Sequence, residues 1–256
     1  MGQLRPTRIQ LCGRLVVELD GRRVEDALPG AKGRLLFAYL VLNRDRRMSR
    51  DELLTAVYGQ EASPDQHPSL SVLLSKLRSV IGQELLAGRS ELELVLPRGA
   101  FVDVEAAREA LHRAESHVAA GQWVESWGPA GVAYHVARRP LLQGEDRPWL
   151  DEWRRRLEDI QLRGLECFAQ ARLSLGGPTL AQAEDAARQL IELAPYRESG
   201  HRILMEALER RGNVAEALLA YDRLRVLLRD ELGVAPSPAL QSVHRRLLGE
   251  RTTSSA

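Results

Sequence analysis

Residues 69–82 read SLSVLLSKLRSVIG, and the identity of this stretch decides what the first hundred residues form. Leu70, Leu74, Leu77 and Ile81 advance in steps of four, three and four, which places apolar side chains along one side of an α-helix. Gly82 then closes the run. Opposite the apolar stripe lie Pro68, Val72, Ser75 and Ser79, flanked by Ser71 and Lys76. Such a helix is buried on one side and presents a short, nearly uncharged face on the other. Beyond Gly82 the period changes: in LLAGRSELELVLP (85–97) two short apolar runs flank the turn-like GRSE, a β-hairpin signal.

Upstream, AKGRLLFAYLVLNR (31–44) carries Leu35, Leu36, Tyr39, Leu40 and Leu42 on a broad helical stripe. MSRDELLTAVYG (48–59) opens with Ser49, has Glu52 three residues later and stops at Gly59, the pattern of a capped helix. The loop QEASPDQHP (60–68), rich in Pro, Asp and Ser, joins it to the helix that follows. Before all of these, RIQLCG, RLVVELD and GRRVE read as short strands. The Asp20-Gly21 pair between the last two suits a two-residue hairpin, in which both central positions need positive φ. Small strands, three helices and a closing hairpin make a winged helix-turn-helix, whose third helix enters the major groove of DNA.

From VDVEAAREALHRAESHVAAGQW (102–123) onward the pattern is helical and the helices recur in pairs. On a tetratricopeptide-like template, Ala114, Gly121 and Ala130 mark a first unit, Ala171, Ala183, Ala187 and Pro195 a second, and Leu204, Gly212, Ala217 and Tyr221 a third. Small residues let paired helices approach closely, and Gly or Pro ends each helix. RRPLLQGEDRPWLDEWRRRLEDI (138–160) interrupts the repetition, and Trp149 and Trp153 in it read as core anchors. The expected fold class is mainly α: an N-terminal winged helix-turn-helix with small β-strands over residues 1–102, then an all-α tetratricopeptide-like domain over 103–250. Residues 251–256 (RTTSSA) offer nothing to bury and are expected to be a disordered tail.

Composition narrows the function. The chain of 256 residues has 36 basic and 35 acidic side chains, divided 15 to 13 up to Asp103 and 21 to 22 after it. Neither part is a charge-driven nucleic-acid binder. No apolar run reaches the length of a membrane span and the first ten residues lack the core of a signal peptide, so a cytoplasmic protein without membrane contact is expected. Cys12 and Cys167 have no metal-ligand or redox spacing and read as structural thiols. No phosphate loop, nucleophile elbow or zinc-protease motif occurs, and the six histidines are scattered. No catalytic residue, cofactor or metal site is expected, and the protein is not read as an enzyme.

The order of these parts resembles the Streptomyces antibiotic regulatory protein (SARP) type of transcriptional activator. The resemblance rests on GRLLFAYLVLNR (33–44), SRDELLTAVYG (49–59), LLSKLRSVIG (73–82) and GEDRPWLDEWRRRLED (144–159). It rests above all on the long stretch from ELAPYRESGH to GVAPSPALQ (192–241). It implies a winged helix similar to that of response regulators, joined to a helical bacterial transcriptional activation domain. Implied partners are double-stranded promoter DNA, a second copy in self-association, and RNA polymerase. Where such proteins often carry Arg or basic pairs, this chain has Ser71, Ser75-Lys76 and Arg78-Ser79; their common Trp is Tyr58 here.

Helical phase then nominates Ser71, Val72, Ser75, Lys76 and Ser79 as base readers. Serine can hydrogen-bond several base edges, valine can touch a thymine methyl, and lysine can reach guanine or a phosphate. Arg34, Arg50, Arg78 and the wing-tip Arg89 are nominated for phosphate contacts, which position without reading. The expected function is a DNA-binding transcriptional activator. The alternative is a protein-interaction module whose winged helix has weak or no DNA affinity.

Overall fold

The computed structural model of the protein describes residues 7–59 and 64–249. The expectation of a disordered tail at 251–256 and the first part of the loop before the third helix lie outside these residues. The chain forms two compact units, one of Met1–Ala106 with Val136–Leu157 and one of Ala107–His135 with Glu158–Ala256.

In the first unit, β1 (Arg8–Gln10) pairs antiparallel with β2 (Val16–Leu19), Ile9 opposite Val17, and β2 pairs with β3 (Arg22–Arg23). The turn between β2 and β3 places Asp20 at φ 50° and Gly21 at φ 75°, both in the left-handed region that the Asp-Gly pair tolerates. Three helices follow: α1 (Gly30–Leu42), α2 (Arg50–Tyr58) and α3 (His67–Ile81). A two-residue strand, β4 (Met48–Ser49), precedes α2 and pairs with β6 (Glu91–Leu94). On its other side β6 pairs with β5 (Leu86–Ala87), completing the wing. A last strand, β7 (Phe101–Val102), runs parallel to β1 and closes the first sheet in the order β3-β2-β1-β7.

The core of this unit is where the apolar periodicities put it. Leu35, Leu36, Leu40, Leu53, Val57, Leu70, Leu74 and Leu77 are all buried, with Ile9 and Leu11 from the sheet side. α3 also buries Leu73, one more position than the strict stripe contains. Asp103, which opens α4 (Asp103–Ala119), is 2% exposed and accepts the backbone N–H groups of Leu11, Cys12 and Val104 at 2.9–3.0 Å. Its burial outweighs those three bonds and raises its pKa. The interruption at 138–160 belongs partly here: the Trp149 indole N–H donates to the Ala56 carbonyl at 3.0 Å and its ring meets Tyr39 edge-on at 5.1 Å. Arg147 donates to the Val57 carbonyl at 3.1 Å.

The second unit is helical throughout its described residues. It contains most of α4, α5 (Trp123–Ala137) and α6 (Pro148–Leu175), and then α7 (Leu180–Leu193), α8 (Glu198–Arg210), α9 (Val214–Leu232) and α10 (Pro238–Leu247). Ala114, Ala130, Ala171, Ala183, Ala187 and Ala217 are all fully buried, which is what close helix pairing requires. Gly121 and Gly212 end helices at φ 69° and 82°. Gly164 on α6 lies so close to α5 that an added Cβ would come within 3.1 Å of the Ala133 side chain. Burial pushes both thiols up, Cys167 to about 12, and neither is in a disulfide.

Candidate nucleic-acid interface

α3 owes its position to two devices that flank it. Ahead of it, Ser49 caps α2 by accepting the Glu52 N–H at 3.1 Å, and the Glu52 carboxylate receives the Tyr39 hydroxyl at 2.6 Å and Arg46 at 3.0 Å. Arg46 and Tyr39 together hold that carboxyl below the usual carboxylate range. Behind it, the positive-φ Gly82 (100°) stops the helix and turns the chain into the wing.

The exposed side of α3 carries every residue that periodicity nominated, and divides them between two flanks. On the flank toward the wing, Arg78 donates from Nε to the Leu86 carbonyl at 3.3 Å and from Nη2 to the Gly88 carbonyl at 2.6 Å. Arg50, the first residue of α2, donates to the Ser71 hydroxyl and, at 3.3 Å, to the Arg89 carbonyl. Two arginines thus clasp helix and wing together, and their remaining N–H groups stay available to phosphate. Arg78 is in this respect a fixing residue for the wing, a role that its charge alone did not disclose. The Arg89 side chain is exposed at the wing turn; Arg34 is exposed on α1 and bonded to neither group.

On the other flank, Val72, Lys76 and Ser79 line a shallow groove of about 500 Å³ with Pro29, Gly30 and Tyr58. Val72 is 55% exposed there. The Lys32 ammonium stands 4.3 Å from the centre of the Tyr58 ring, adding a second cation beside the groove. Sequence reasoning missed Lys32 and Pro29, and named Tyr58 only as a departure from the family's Trp, because they come from other elements and no local pattern joins them to α3. Ser75 is exposed between the two flanks.

The hydroxyl protons restrict what can be read. Ser71 donates to the His67 carbonyl at 2.9 Å and Ser79 to the Lys76 carbonyl at 2.7 Å. With its proton turned back on the helix, the exposed Ser79 oxygen is left as an acceptor, which suits the exocyclic amino groups of cytosine and adenine, whereas the Ser71 oxygen already accepts from Arg50. An exposed aliphatic side chain such as Val72 has the chemistry to meet a thymine methyl, and Lys76 adds an exposed cation one turn along the same face.

Comparison with known proteins adds to this geometry. The family model described as bacterial transcriptional activator domain matches residues 102–248. The regulatory protein AfsR of Streptomyces coelicolor is 32% identical over 231 residues, 90% of this chain and 23% of AfsR. The transcriptional regulatory protein EmbR of Mycobacterium tuberculosis is 28% identical over 254 residues, 94% of this chain and 63% of EmbR. The chain therefore spans less than two thirds of these relatives. A solved structure of M. tuberculosis EmbR, in complex with a low affinity phosphopeptide, superposes with a TM-score of 0.83 at 24% identity, over 97% of this chain and 66% of that one. That likeness is one of fold. Among the described residues no helix is long and apolar enough to cross a membrane.

Proposed function

The chain belongs to the bacterial transcriptional activator domain family and is a transcriptional regulator of the SARP type, and from that premise we propose that α3 reads duplex promoter DNA. Residues 1–102 form the DNA-binding part and residues 103–250 the part that contacts a second copy or the transcription machinery, RNA polymerase included. The protein acts in the cytoplasm by binding, without catalysis. Ser71, Val72, Ser75, Lys76 and Ser79 read bases, while Arg34, Arg50, Arg78 and Arg89 meet phosphates.

The observation that carries this reading is the double clasp of Arg50 and Arg78. It fixes the wing against α3 before any ligand arrives, and a surface so preorganised loses less freedom on docking. Few cations face the groove, so a single copy binds weakly and gains occupancy from a second copy on the same promoter through effective concentration. The test compares a promoter duplex with a random duplex of equal length by fluorescence anisotropy. A reader prefers the promoter, and replacing Lys76 and Arg78 together by Ala abolishes that preference.

A second reading, an interaction module with little DNA affinity, draws on the same face: of the two cations on α3, Lys76 and Arg78, Arg78 is already engaged within the protein, as is Ser71. Wild-type protein that binds neither duplex at low salt favours that reading.

A further inference from the structure

Arg172 on α6 is a cation without an anion. Its side chain is 7% exposed, its Nε is buried with no hydrogen-bond partner, and among the described residues no carboxylate lies close enough to offset the desolvation that lowers its pKa. Only aromatic faces meet it: the guanidinium carbon lies 3.9 Å from the centre of the Trp127 ring and 5.1 Å from that of Phe168. Stacking of this kind stabilises a guanidinium from above and leaves the donors along its edge unused. Several other arginines of the same unit are paired, Arg163 with Glu115 at 2.7 Å and Arg197 with Glu166 at 3.1 Å among them.

Trp127 also flanks an unusual helix face. Around α5 the residues turned outward include Val124, Gly128, Gly131 and Val132, with Val124 64%, Trp127 46% and Val132 46% exposed. An ordinary solvent face of a helix is charged, and this one has only Glu125 at its edge and His135 near its C-terminal end. Gly128 and Gly131 cost helix stability, yet an added Cβ at either would meet nothing within 4 Å, so no packing inside the unit explains them. Small residues on an outward face do allow another backbone to come close.

We infer that this face of α5 docks an apolar helix of a partner protein that carries a carboxylate, with Arg172 receiving the carboxylate and Gly128 and Gly131 admitting the partner's backbone. The unpaired guanidinium selects the chemistry. An apolar surface alone would accept any hydrophobic segment, whereas a buried cation with open donors gains most from an anion brought into the same dry site. The inference rests on the reading that the helical unit contacts other proteins and names where it does so; it is independent of DNA recognition by α3.

The test uses the full chain and a stapled helical peptide with a Leu/Ala face and one central Glu, alongside its Gln counterpart. Titration by calorimetry is expected to give saturable binding of the Glu peptide, weaker by about tenfold or more for the Gln peptide and for Arg172→Met. Gly128→Leu, at a position with open space and ordinary φ, is expected to block binding while leaving the fold and Arg172 in place. No binding by the wild type, or equal binding of Glu and Gln peptides, overturns the inference. Binding of the Glu peptide that both variants keep overturns the site and leaves the helical unit as a docking unit. A dimer in sedimentation that Gly128→Leu dissolves shows that a second copy covers this face, which also overturns the proposal.

Discussion

The two flanks of α3 are made of similar residues and are put to different uses. Toward the wing, Ser71 and Arg78 are bonded to Arg50 and to wing carbonyls, so polar groups that could face a ligand hold the scaffold instead. Away from the wing, Val72 and Lys76 border an open groove and hold nothing together. A positive charge on a recognition helix is therefore not by itself a contact. The clasped flank should respond to substitution in stability, and the open flank in DNA binding alone.

The largest effect is expected at the wing turn that receives the clasp. Gly88 has φ 88°, and an added Cβ would sit 1.9 Å from the Glu91 carbonyl oxygen. Gly88→Ala should cost the first unit roughly 2–3 kcal/mol in chemical denaturation through strain and displacement of the wing. Arg78→Ala removes two bonds to wing carbonyls without straining the backbone. Its expected cost is about 1–2 kcal/mol, and Arg78→Lys should not restore it, because an ammonium cannot reach two carbonyls in the fork geometry of a guanidinium. Arg50→Ala, at a more exposed bond, should cost less than about 1 kcal/mol. Equal stability losses for Lys76→Ala and Arg78→Ala would break the comparison.

The smallest expected effect is one of pH. Arg46 and Tyr39 hold the Glu52 carboxyl below its ordinary range, so the folded state favours the charged form. The stability contributed by this group is present above the ordinary glutamate pKa and is lost as pH falls through the depressed value. A melting-temperature profile of Glu52→Gln should therefore lie below the wild type near neutral pH and converge with it in acid. Parallel curves would remove Glu52 from the support of α2 and α3.

Local periodicity made much of this molecule legible in advance. The Leu70-Leu74-Leu77-Ile81 stripe, the Ser49 cap and the Asp20-Gly21 turn each depend on residues a few positions apart, and each sits as its spacing demands. Ala183, Ala187 and Ala217 were legible as well, because small residues at helical spacing have few other uses. What the sequence hid are contacts between residues far apart in the chain. Asp103 reaches back to Leu11 and Cys12, Trp149 reaches Ala56, and Lys32 stands over Tyr58. None of these has a period or a motif. The sequence marks Trp149 as a core anchor without saying of which part, and it packs in the first unit beside α1 and α2. For the interface, helical phase chose the face of α3, while the division into a clasped and an open flank needed the positions of Arg50 and the wing.

The most direct test of DNA recognition by this face is the salt dependence of binding to one promoter duplex for wild type and Lys76→Ala. With Lys76 on the open flank as a base reader, its loss should weaken promoter binding by about 1–3 kcal/mol across the salt range, with the melting temperature unchanged. Identical affinity and slope for the two proteins would contradict the account and remove α3 as the reader.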